Sequence, residues 1–177
     1  MSDISDFSEL PMQAEGLFCK LDQLGIAHET VTHPPIFTVE EAKSVRDLLR
    51  GAHTKNLFLR NKKGAMWLVT LMEDKRVDLK RLSALLNAGK LSFGSPERLF
   101  SNLGVRPGSV TPFSVINDTD HNVTLILDRD LMEFETLNFH PLRNDQTTNI
   151  AATDLLVFAR AVSHMPTILE IPQRTET

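Results

Sequence analysis

The sequence predicts an α+β fold, a mixed, mostly antiparallel sheet with surrounding helices, in one domain spanning residues 1–177. Three observations carry this. Strand-like and helix-like segments interleave without the regular βαβ alternation of a parallel sheet. Two apolar runs, 53–60 and 65–72, flank Asn61-Lys62-Lys63-Gly64, the signature of a hairpin. The chain has 177 residues, 41% of them apolar, with no repeat or Gly/Ser linker, which suits a single buried core.

The first helix is expected from Pro11 to Leu24. Ala14, Leu17, Phe18, Leu21 and Leu24 share one face, and Gly25 stops it. Residues 27–32 read as a short strand ended by His33-Pro34-Pro35. Thr38 with Glu41 three residues on is a capping box, which starts a helix at Val39 that ends before Gly51. After the hairpin, Asp78 caps a helix whose buried stripe is Leu79, Leu82, Leu85 and Leu86. Ser95-Pro96-Glu97 opens another helix, stopped by Gly104. Residues 107–112 form an irregular loop. Residues 113–116, 123–127 and 135–139 read as strands, 153–162 as a helix and 167–171 as a closing strand. The first several residues and residues 173–177 are expected to be frayed ends.

Composition narrows the function classes. One cysteine excludes an internal disulfide framework and a multi-cysteine zinc site. Cys19 lies away from the apolar stripe of its helix and reads as an incidental surface thiol. No apolar run approaches the roughly 18 residues that would span a bilayer. The acidic start MSDISDFSEL has no basic n-region, so a cytoplasmic protein with no membrane and no DNA partner is expected. The net charge of −4 conceals an asymmetry: residues 1–42 carry −7, residues 43–90 carry +8 and residues 91–177 carry −5. The basic middle, with Lys62, Lys63, Lys80 and Arg81, is either a phosphate-attracting surface or a solvated face.

The six histidines form no HxH, HxxxH or HExxH pair, and no GxSxG, P-loop or GxGxxG occurs. Lys55 stands out because strict alternation puts it on one strand face with Leu57 and Leu59. It is either a functional cation held at a cost in a partly apolar setting or a lysine snorkelling from the strand end. The loop from Pro107 to Pro112 contains Gly108, which lets a ligand approach the backbone closely; an ordinary turn is the alternative. His140-Pro141-Leu142-Arg143-Asn144-Asp145, followed by Thr147-Thr148, clusters polar groups after a strand, as a site or as a local turn network.

Taken together, HPPIFTVEEA (33–42), KNLFLRNKKG (55–64), VDLKRL (77–82), LSFGSPERL (91–99), LGVRPGSVTPFSVIND (103–118) and NFHPLRNDQTTNI (138–150) resemble, in this order, the free-standing prolyl-tRNA editing proteins, PrdX or ProXp-ala. These are relatives of YbaK and of the editing domain inserted in bacterial prolyl-tRNA synthetases. The resemblance covers nearly the whole chain. It implies a YbaK-like fold and hydrolysis of alanine from mischarged Ala-tRNA(Pro) in trans, with no cofactor and no metal. Lys55 matches the family's essential lysine, Asn56 the residue beside it, Gly108 to Pro112 the GxxxP loop, with Ser109 inside it, and His140 the pocket histidine. The chain departs from the family at Ser114, where a smaller residue is usual, and at Arg143, where an apolar one is. Both departures bear on amino-acid preference.

The resemblance also implies a double sieve. A synthetase pocket built for proline rejects the smaller alanine by only about 1–3 kcal/mol. A second site too small for proline can then hydrolyse the error. With no Ser-His-Asp arrangement, the expected roles are positional and electrostatic. Lys55 would hold a terminal phosphate or the ester carbonyl. Asn56, Ser109 and Pro112 would line the substrate site, and backbone N–H groups near Gly108 would face the oxyanion. His140 would shape the pocket, and a ribose hydroxyl would help orient the water. The expected partner is the tRNA(Pro) acceptor end carrying alanine, with transient contact to prolyl-tRNA synthetase as an additional possibility. Two alternatives remain open: a deacylase for Cys- or Ser-tRNA, and a non-catalytic tRNA- or synthetase-binding module.

Overall fold

The structure is a computed structural model, and it describes residues 11–36 and 38–175. The expected frayed residues 1–10 and 176–177 lie outside the described residues. Helix α1 (Ala14–Gln23) buries Ala14, Leu17 and Leu21, and β1 (His28–Thr32) follows. Helix α2 (Val39–Arg46) carries the predicted capping box: Thr38 accepts from the Glu41 N–H and Glu41 accepts from the Thr38 N–H. Strands β2 (Ala52–Arg60) and β3 (Met66–Met72) form the predicted hairpin, with the N–H groups of Lys63 and Ala65 donating to Asn61 Oδ1. Then come α3 (Leu79–Leu85), β4 (Ser92–Phe93) and α4 (Pro96–Leu103), with Asp78 and Ser95 as caps. The chain continues through β5 (Val123–Asp128), β6 (Thr136–Phe139), β7 (Gln146–Ala151), α5 (Ala152–Ala161) and β8 (Thr167–Leu169).

The sheet runs β1-β7-β6-β2-β3-β5-β8, with β4 also on β2. Four pairings are antiparallel and three parallel, so it is mixed as expected. β3 takes one edge of β2. On the other edge β6 pairs only with Ala52 and His53, and β4 only with Leu59 and Arg60. Between them, among the described residues, that edge carries no strand. One face of the sheet packs Phe58, Leu68, Leu125 and Leu127 with α1, α5, Phe113 and Phe158. The other packs Leu59, Val69, Leu71 and Ile126 against Leu82 of α3 and Ile171. Gly51 immediately precedes β2 with φ +87°, and a Cβ there would lie 2.5 Å from the Thr136 carbonyl oxygen, so no other residue fits without moving β6.

Several expectations need correction. Residues 113–116 are not a strand but part of a 3-10 helix, Pro112–Asn117. Thr111 Oγ1 accepts from the Phe113 N–H, Pro112 pre-sets the first turn, and Ser114 Oγ donates to the Thr111 carbonyl at 2.6 Å. Leu85 is 52% exposed. It lies about 90° around α3 from the centre of Leu79, Leu82 and Leu86, at about 100° per residue. Gln173 and Arg174 are not frayed: Gln173 bridges Val77, and the Arg174 N–H donates to the Arg76 carbonyl. Strand β7 was not anticipated at all. Cys19 is exposed, as its helical position indicated.

Candidate functional site

The cavity opens where β6 parts from β2. It encloses about 200 Å³. His53, Thr54 and Asn56 line it from β2, Asn138 and Phe139 from β6, and His140 from just beyond. Thr147 of β7 and Ile36, Ala42, Val45 and Arg46 around α2 complete most of the wall. The sheet is held open there by its own side chains. Asn138 Nδ2 donates to the carbonyl of Arg50 at 2.8 Å and accepts at Oδ1 from Asn149. Thr54 Oγ1 donates to the Asn138 carbonyl at 2.8 Å.

Asn56 couples the cavity to the 107–112 loop. Thr70, fully buried on β3, donates its hydroxyl to Asn56 Oδ1 at 2.6 Å. Asn56 Nδ2 in turn donates to the Val110 carbonyl at 3.0 Å. Gly108 is exposed with φ +91°, and Ser109 is buried. Gly108, Ser109 and Pro112 do not line the cavity themselves; they adjoin it through Val110.

His140 is held by its Nδ1–H, which donates to the Gln146 carbonyl at 2.8 Å. Burial holds it below the ordinary histidine range, against the raising effect of that bond, and His33 adds to the lowering. Its ring centroid lies 6.1 Å from that of His33, which bonds Thr147 Oγ1 through Nε2 at 2.8 Å. At the rim, Arg46 pairs with Glu73 while its buried Nε has no hydrogen-bond partner among the described residues. Burial likewise pushes His53 below its ordinary value.

Residues 33–158 match the aminoacyl-tRNA editing domain. The chain belongs to that family. It is 38% identical over 155 residues to the mouse prolyl-tRNA synthetase associated domain-containing protein 1, covering 85% of this chain and 91% of the relative. It is 34% identical over 148 residues to the prolyl-tRNA editing protein ProX of Acetoanaerobium sticklandii, covering 83% and 90%. Its fold matches a crystal structure described as a suggested trans-editing enzyme for prolyl tRNA synthetase, with a TM-score of 0.71, 19% identity, and coverage of 91% and 97%.

Within this editing domain the sequence-predicted residues divide. Asn56 and His140 meet in the cavity. Lys55 does not line it. It lies half-buried on the β2 face of Leu57 and Leu59, opposite Leu71, within the electrostatic reach of Asp74 and Arg76. Desolvation lowers its pKa; Asp74 offsets this in part and Arg76 adds to it. Lys62 and Lys63 are exposed at the far end of the hairpin. Thr54 at the cavity and Arg60 at the turn are six strand residues apart, about 20 Å. Lys80 and Arg81 are exposed on the first turn of α3. Ser114 is fully buried and Arg143 is exposed, paired with Asp145, which stays below its usual range mainly through that hydrogen bond. His33, Arg46, Thr54 and Thr147 escaped the sequence reading as site residues. His33 opens one of the motifs and Thr147 lies in the noted polar cluster, but only the folded sheet puts them on one wall. No helix among the described residues is long and apolar enough to cross a membrane.

Proposed function

We propose that this chain is a prolyl-tRNA trans-editing hydrolase that removes alanine from Ala-tRNA(Pro). The observation that supports it best is the cavity itself. At about 200 Å³ it is small beside the roughly 300–1,000 Å³ of drug-sized ligand pockets. Ile36, Ala42, Val45 and Phe139 supply apolar walls for a short side chain, and Asn56 and His140 supply polar groups for the aminoacyl end. The name of the bacterial relative, a prolyl-tRNA editing protein, supports the editing part of this reading.

In this reading water adds to the ester carbonyl carbon, the bond to the terminal ribose oxygen breaks, and that oxygen leaves with a proton as the hydroxyl. Free alanine departs as the carboxylate. Asn56 fixes the 107–112 loop, whose backbone N–H groups face the developing oxyanion. His140, neutral and anchored, shapes the wall against which the aminoacyl group lies. A ribose hydroxyl orients the water. Lys55, outside the cavity lining, holds a phosphate of the tRNA end rather than the ester carbonyl. Lys62, Lys63, Lys80 and Arg81 act on more distant phosphates. Proline is excluded because its ring overpacks the wall and misplaces the ester, and about 1 Å of misplacement costs roughly a hundredfold in rate.

The test is a panel of Ala-, Ser-, Cys- and Pro-tRNA incubated with the protein, following loss of each aminoacyl group. Ala-tRNA(Pro) should be deacylated and Pro-tRNA(Pro) spared. Equal rates on the two would sink the size-sieve account, and preferred hydrolysis of Cys- or Ser-tRNA would reassign the substrate.

A further inference from the structure

Three polar atoms on the cavity wall have no proton left to give. Thr54 Oγ1 donates its only proton to the Asn138 carbonyl, at 2.8 Å. His140 Nδ1 sits 2.8 Å from the Gln146 carbonyl, which can only accept, so the ring proton is on Nδ1 and Nε2 is bare. Thr147 is settled through His33. His33 Nδ1 lies 2.8 Å from the Pro34 carbonyl and must carry the proton. With that proton on Nδ1, Nε2 is an acceptor and the Thr147 hydroxyl donates to it, at 2.8 Å. His33 and Thr147 are both buried, so water does not reverse this arrangement. Thr54, His140 and Thr147 all line the same small cavity.

We propose that these three acceptors form the subsite for the α-ammonium of the aminoacyl group, with His33 as the positioning residue that turns Thr147 into an acceptor. This rests on the editing reading above and adds to it which end of the amino acid goes where. An ammonium offers three N–H donors to these three acceptors, and each good bond to a charged group is worth about ten- to a hundredfold in affinity. A carbonyl or phosphate oxygen placed there would meet only lone pairs. Among the described residues, the one lysine or arginine on the lining is Arg46, which pairs with Glu73, also on the lining. With the ammonium at this wall, the side chain turns toward Ile36, Ala42 and Val45.

The experiment compares Ala-tRNA(Pro) with lactyl-tRNA(Pro), which keeps the ester and the methyl and replaces the ammonium by a hydroxyl. The readout is the acceleration over the buffer-only rate for each, because the two esters differ in intrinsic lability. Wild type should accelerate alanyl hydrolysis at least about tenfold more than lactyl hydrolysis. Thr147→Val should cut the alanyl acceleration about tenfold and the lactyl acceleration less, and Thr147→Ser should restore the difference. Equal acceleration of both esters by wild type, or an equal loss on both in folded Thr147→Val, overturns the proposal. If Thr147→Val does not fold, the wild-type comparison decides alone. Failure of wild type to hydrolyse Ala-tRNA(Pro) at all would instead refute the editing reading beneath it.

Discussion

Asn56 joins two partners that have few alternatives, and this makes its contribution separable. Replacing it with Leu strands the fully buried Thr70 hydroxyl, 2.6 Å away, and removes the donor to the Val110 carbonyl. A stranded buried hydroxyl costs about 1–3 kcal/mol and the lost bond to Val110 about 0.5–1.5, so Asn56→Leu should destabilise by about 2–4 kcal/mol. Thr70→Val alone should cost about 1 kcal/mol, since half-exposed Asn56 can turn to water. In the double variant no hydroxyl is stranded, and the total should fall about 1–2 kcal/mol short of the sum of the singles. Urea unfolding of the four proteins measures this cycle. Single-turnover deacylation of Ala-tRNA(Pro) under native conditions gives a second readout. Asn56→Leu should slow it about a hundredfold as the 107–112 loop shifts by about 1 Å, whereas Thr70→Val should slow it far less. Energies that add to within about 0.5 kcal/mol would refute the coupled network. Equal slowing by both variants would refute the claim that Asn56 acts by holding the loop.

Lys55→Ala should fold and lose Ala-tRNA(Pro) deacylation by orders of magnitude; wild-type single-turnover rates would remove Lys55 from the mechanism. Charge reversal of Lys62 with Lys63, or of Lys80 with Arg81, should weaken tRNA binding and lower the log–log salt slope by about 1 per lost phosphate contact, leaving the rate at saturating tRNA nearly unchanged; unaltered binding at low salt would mark both pairs as solvated surface. Lys75 is 8% exposed and donates to the buried Asp128 at 2.7 Å and to Asp130 at 3.2 Å. Lys75→Met should destabilise by about 3–5 kcal/mol, because Asp128 is left buried and unpaired. Burial alone would lower the Lys75 pKa, but hydrogen bonds to Asp128 and Asp130 raise it above the ordinary lysine value. Its stabilisation is therefore complete below about pH 10.4 and is lost as pH rises through the raised value, which alkaline thermal unfolding can follow. His140 is depressed chiefly by burial, so the acid limb of deacylation should fall below pH 6.5, and the His140 contribution to stability should decline as pH drops from 6.5 toward its lowered value; an acid limb above 6.5 would show that His140 is not the neutral group described.

Local chemistry was legible in the linear chain wherever a few neighbouring residues decide the outcome. The Thr38–Glu41 capping box, the Asp78 and Ser95 caps and the Asn61–Gly64 turn all formed as expected, because each closes hydrogen bonds within four residues. Asn56 and His140 were also marked by the linear chain, through motifs that resemble a known family. What stayed hidden depends on contacts far apart in sequence. Strand β7 reads as QTTNIA, with no apolar alternation, and is a strand because its backbone pairs with β1 on one side and β6 on the other, with Thr148 bonding Thr30 and Asn149 bonding Asn138 across the sheet. Residues 113–116 read as an apolar strand and lie in the 3-10 helix Pro112–Asn117, where Thr111 and Ser114 satisfy the first turn while Phe113 packs on Phe139 and Phe158. The alternation rule correctly put Lys55 with Leu57 and Leu59, but it could not show that the cavity uses the opposite face through Thr54 and Asn56. That depends on β6 leaving β2 after His53, a decision made by Gly51, Asn138 and Thr136 packing together. Hydrogen-bond direction is also tertiary: a threonine is donor and acceptor in any sequence, and Thr147 is left as an acceptor only because its hydroxyl donates to His33, 114 residues away.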